Sequence, residues 1–171
     1  SVMQARADVT SAGWLPAELK LHFSVVDYPT ARPLFEQTGF GEMLRDEAML
    51  PFLKDVPWQL RARAGASWLG LMWVDLGVDW NRCAEIPSGE VAWGVFDVDG
   101  RPSALLCADV SGKEQQVAQL REEIAAAMKQ QQVEAQHEEV DGTIITRYEL
   151  PPRDNMRGTT LVHFVRAEIF V

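Results

Sequence analysis

Three histidines, two cysteines and several neighbouring carboxylates are the side chains here with chemistry to offer. His22, His137 and His163 each fall in or beside a strand-like run. None has a second ligand at a metal-type spacing such as His-x-x-x-His or Cys-x-x-Cys, so only a folded sheet can bring them together. Cys107 lies in a run that reads as a buried strand, where thiols are inert, which weakens any Cys–His nucleophile. The paired acids are Asp75 with Asp79, Glu122 with Glu123, and Glu138 with Glu139. The first pair shares a helix face only if the helix runs through Gly77, and the second reads as a solvated face. A glycosidase dyad needs its carboxyls roughly 5–9.5 Å apart in a cleft, which spacing alone does not supply. Gly39-Phe40-Gly41 lacks the following Gly and Lys of a phosphate loop and reads as a helix stop. These patterns assign no catalytic, cofactor-binding or metal-ligating residue, and a non-enzymatic role is expected.

The unusual compositional feature is aromatic. Six tryptophans stand at positions 14, 58, 68, 73, 80 and 93. Trp68 and Trp93 have apolar neighbours on both sides and read as core. Trp73 and Trp80 lie beside Asp75 and Asp79 and are the candidates for an exposed patch that binds a sugar, a small ligand or a partner.

The totals bound the rest. A chain of 171 residues is one domain, or a domain with an appendage, and 47% hydrophobic residues suffice for a core. A net charge of −9, with an isoelectric point near 4.8, argues against nucleic acid and against an anionic membrane surface. The most apolar window, Ala66 to Val74, is about half of a bilayer span. Cys83 and Cys107 leave a single disulfide or two thiols equally open.

The elements that must position these residues are legible by period. Residues 1–13 read as a loose lead-in and 14–171 as a single domain. Leu19 to Val25 alternates, with Leu19, Leu21, Phe23 and Val25 on one face of a half-buried strand. A short helix from Tyr28 is expected to stop near Gly39 and Gly41, and a second from Glu42 to be kinked by Pro51. A third and longer helix opens near Asp55 and ends at Leu76-Gly77; Asp79 then starts a brief helical turn through Cys83.

Val91–Asp97 and Ser103–Val110, apolar on both faces, read as covered central strands joined by an Asp99-Gly100 hairpin. Ser111 with Glu114 has the form of a capping box. The helix it opens carries Val117, Leu120, Ile124 and Met128 as a stripe, to about Gln132. Glu138–Val140 and Thr143–Leu150 flank Asp141-Gly142 as a second hairpin, and Leu161–Val171 is strand, with Arg166-Ala167-Glu168 a possible turn. The class is α+β: a mainly antiparallel sheet (ββαββ plus N- and C-terminal strands) with helices mostly on one face, its strand order open.

The runs Phe40-Gly41…Asp46…Pro51-Phe52 and Leu76-Gly77-Val78…Ile86-Pro87-Ser88-Gly89-Glu90-Val91-Ala92 resemble those of uncharacterised bacterial extracytoplasmic proteins grouped as a domain of unknown function. That resemblance implies a periplasmic or secreted setting and no catalytic residues or cofactor. The chain starts without Met and stops in strand-like sequence, so a domain excised from a longer protein is expected. The combined expectation is a structural or protein-interaction module, its partner another protein or the rest of its own chain. The alternative is a carbohydrate- or small-ligand-binding domain using Trp73 and Trp80, and a hydrolase comes third.

Overall fold

The structure, a computed structural model, describes residues 13–16, 18–49, 80–152 and 159–171. In chain order these form β1 (Leu19–Val25), α1 (Tyr28–Glu36), α2 (Gly39–Arg45), a 3-10 turn (Glu47–Met49), α3 (Trp80–Cys83), β2 (Val91–Val98), β3 (Arg101–Asp109), α4 (Glu114–Gln130), β4 (Ala135–Val140), β5 (Thr143–Leu150), β6 (Thr159–His163), β7 (Val165–Arg166) and β8 (Ile169–Phe170). The fold is α+β with antiparallel strand pairing, as the sequence predicts. The strands do not join into one sheet. A five-stranded sheet runs β1-β2-β3-β8-β7, and a three-stranded sheet runs β4-β5-β6.

Turn chemistry sets the hairpins. Asp99 and Gly100 have φ of 51° and 73°, and Asp141 and Gly142 have 48° and 73°, the left-handed pair that a two-residue hairpin turn requires. Ala167 and Glu168, at φ 49° and 63°, make the same bend without a glycine, so the C-terminal run is a tight β7–β8 hairpin rather than one through-running strand.

Helix α4 ties the two sheets together. Val117, with Leu120 at its margin, packs on Ile86, Ala108 and Val110 of the first sheet's side. One and two turns on, Ile124, Ala127 and Met128 pack with Val133 and Tyr148 of the second, and Leu120 belongs to both groups. Recurrence at three and four residues is what lets one stripe do this. On the opposite face of the five-stranded sheet, Ile169 of β8 and Val171 join Ala92 and Cys107 in one buried cluster, with Trp14 and Phe164 at its margin.

Two local expectations change. Helix α2 begins at Gly39 rather than Glu42: Thr38 caps it, accepting from Gly41 N–H at 3.0 Å while its hydroxyl donates to the Phe35 carbonyl at 2.7 Å. Gly41 is needed there, since a Cβ would lie 2.2 Å from that carbonyl oxygen. The capping box does not form. Helix α4 has Lys113 at its cap with no side-chain bond, and the Ser111 hydroxyl donates to Asp109 at 2.6 Å instead. Asp109 also accepts from Ser111 N–H at 2.9 Å and from the Ser88 hydroxyl at 3.3 Å, and this local anchor outcompetes the cap. Of the two states that the sequence leaves open for Cys83 and Cys107, the structure has two thiols.

Candidate functional site

The aromatic candidates fare unequally. Trp73 lies outside the described residues, as do the third helix, the Pro51 kink and the Asp75–Asp79 pair. Trp80 opens α3, but its side chain also lies outside what is described. Trp93 is half-buried rather than core. Among the described residues no helix is long and apolar enough to cross a membrane.

Trp93 leads instead to the edge strand. Register places Phe23 against Trp93 and Trp93 against Leu106, one row across β1, β2 and β3. The next row is Leu21, Val95 and Ala104; on the other side lies Val25, Val91 and Ala108. Partners in an antiparallel ladder share a face. Among the described residues, one end of this face is covered, where Val91 and Ala108 pack with Val117 of α4, and Val95 farther along is buried as well. Beyond that end α4 turns away to the second sheet. Phe23 is left 62% exposed, Leu21 50% and Leu106 48%. The expectation of a half-buried β1 and of central strands covered on both faces therefore fails at these three positions. Period reports which side chains share a face, not whether anything lies over it.

Among the described residues the two sheets end on four edges, and three are blunted. β7 is two residues long, β4 is exposed throughout and carries Gln136, Glu138 and Glu139, and β6 is five residues opening on Thr159-Thr160. Short edges and charged edges resist pairing with other chains. β1 has seven residues and an apolar face, and its one lysine, Lys20, is ion-paired to Asp97.

The second feature is a buried histidine where the sheets meet. Register sets His137, Thr146 and His163 in one row across β4, β5 and β6, so the second sheet does bring two histidines onto one face. His22 sits apart on β1, in the other sheet. The His137 Nδ1 lies 3.3 Å from the Thr146 hydroxyl. His163 is 4% exposed, between the rings of Tyr148 and Phe170, both centred 5.9 Å away. Neither of its ring nitrogens meets a hydrogen-bonding partner, and the same holds for Arg121 Nε. Burial first, then the Arg121 guanidinium and His137, push its pKa down to about 4. At neutral pH His163 is thus an uncharged filler rather than a proton carrier.

Arg121 and His137 also line an open recess of about 400 Å³ with Glu138, Glu139 and Ile144. Glu138 and Glu139 both border this recess, but as successive residues of β4 their side chains alternate between its faces and do not converge as a dyad. Glu123 is ion-paired to Arg82 at 2.8 Å, which separates its role from that of Glu122. Among the described residues no three His, Cys, Asp or Glu side chains are grouped to hold a metal ion. Burial, followed by the charge of Glu90, raises the Cys107 thiol to about 11, well away from nucleophilic chemistry. Arg121 escaped the sequence reading, hidden among the Gln and Glu residues of a helix face that looked merely solvated.

No protein family, no curated protein and no solved structure matches this chain.

Proposed function

We propose that this chain is a non-catalytic protein-interaction module that docks an extended segment of another protein along β1. The observation that carries this reading is the contrast among edges: three are short or polar, while β1 is long and shows Leu21 and Phe23 to solvent. Added strands gain affinity from main-chain hydrogen bonds and specificity from alternate side chains on the neighbouring face. Here that face would be the row Phe23, Trp93 and Leu106. The buried, uncharged state of His163 and the inert Cys107 favour a binding role over a hydrolase. The Gly-Glu-Val signature supports an extracytoplasmic bacterial setting.

The test is a selection of extended peptides on the purified chain, followed by hydrogen exchange on each complex. Binders that slow exchange in β1 and lose affinity in Phe23→Glu support the reading. Binders that protect the Arg121–His137 recess instead, with β1 unaffected, would overturn it.

A further inference from the structure

The partner's chemistry can be read from the charges around the same edge, an inference that rests on the docking role of β1 proposed above. Glu18 immediately precedes the strand and Asp27 follows it by two residues, both exposed. The register of Leu19 on Phe96 sets Glu18 toward the end of the β2–β3 hairpin, where Asp97 and Asp99 are exposed as well. The one lysine within β1, Lys20, is already engaged by Asp97. Arg101 also stands exposed at the hairpin end, and Asp27 caps α1 by accepting from Thr30 N–H at 3.1 Å. The acidic excess therefore rests on Glu18 and Asp99 at one end and on Asp27 at the other, with Leu21 and Phe23 between them, on a chain whose net charge is −9.

From this arrangement we infer that β1 receives a segment with apolar residues at alternate positions and lysine or arginine at both ends. The apolar side chains would lie beside Leu21 and Phe23, and the basic ends would meet Glu18 with Asp99 on one side and Asp27 on the other. A second copy of this chain fits less well. Antiparallel self-pairing about His22 would set Leu21 against Phe23, but it would also bring Glu18 and Asp27 of the two copies into the same regions with like charge. Opposite charges at a rim raise the rate of encounter and reject wrong partners more than they add affinity.

Two nine-residue peptides separate the possibilities. Both alternate valine and threonine over the central five positions; one ends in Arg-Lys at each terminus and the other in Glu-Glu. Fluorescence anisotropy at 50 mM and 500 mM salt, with hydrogen exchange on the complexes, gives the readout. The basic peptide is expected to bind roughly fivefold or more tighter at low salt, the advantage shrinking at high salt as exposed pairs are screened. It should also slow exchange in residues 19–25.

Equal binding of both peptides at β1 would leave the docking edge standing and overturn the charge inference. No protection of β1 by either peptide would sink both. Dimerisation of the free chain through β1, seen by sedimentation and abolished by Phe23→Glu, would make the occupant a second copy. Outward amides of β1 already protected in the free monomer would mean that the edge is taken within the chain, and that too overturns the inference.

Discussion

Lowering the pH from 7.5 to 4.5 puts a proton on His163 in the unfolded chain but not in the folded one. Its pKa in the fold is about 4, against roughly 6.5 for a solvated imidazole. Between those values the unfolded state binds more protons, so stability rises with pH. His163's share is intact above about pH 6.5 and is lost as the pH falls toward 4. The gap of about 2.5 units, at roughly 1.4 kcal/mol each, comes to about 3 kcal/mol, most of it gone by pH 4.5. That is a large part of the roughly 5–15 kcal/mol that holds a domain together.

His163→Phe gives the control. The ring keeps its place between Tyr148 and Phe170 and gives up two nitrogens that make no hydrogen bond. At pH 7.5 the variant should match or exceed the wild type, because unpaired buried polar atoms are costly. Urea unfolding of both proteins at four pH values, taken as a difference, cancels the groups that do not interact with His163. The difference should widen by about 2 to 3 kcal/mol on going from pH 7.5 to 4.5. If the two curves run parallel across that range, His163 is charged or solvated in the fold and the account of the junction is wrong.

Met128, fully buried on the inner face of α4, should cost about 2–5 kcal/mol when cut to alanine, read as a shifted urea midpoint with an unchanged slope. Gly41→Ala sets a Cβ against the Phe35 carbonyl and should lower stability by about 1–3 kcal/mol, whereas Gly39→Ala, with open space around it, should not. The Cys107 thiol should resist a disulfide reagent at pH 8 until denaturant is added; prompt reaction in the native protein would contradict its burial.

Local signals carried most of the legible structure. Asp99-Gly100 and Asp141-Gly142 specify their turns because aspartate followed by glycine tolerates positive φ, and the stripe from Val117 to Met128 specifies a helix because only period 3.6 aligns it. What escaped was non-local. The division into two sheets depends on where the chain crosses between them, at Phe164, and nothing in the local pattern of Leu161–Val171 marks that step. Ser111 and Glu114 have the spacing of a cap, but an acid five residues before the helix claims the hydroxyl. The open β1 face escaped for a related reason: alternation in LKLHFSV is the same whether or not a helix lies over it. Trp73 and the Trp80 side chain, singled out for their acidic neighbours, lie outside the described residues, and the register adds a separate row of candidates, Phe23, Trp93 and Leu106.

The route of the chain also sets an order of events during synthesis. β8 pairs with β3, some sixty residues upstream, and Ile169 and Val171 complete the buried cluster begun by Ala92 and Cys107. A growing chain can fold both hairpins and lay α4 across them well before that hairpin has cleared the ribosome. Until then the buried cluster of Ala92, Cys107, Ile169 and Val171 lacks two of its four members. The window between those moments is when the domain is most exposed to chaperones and to misassociation. Stalled nascent chains ending at His163 should remain sensitive to protease in β2 and β3, and those that extend far enough to free Val171 from the exit tunnel should not.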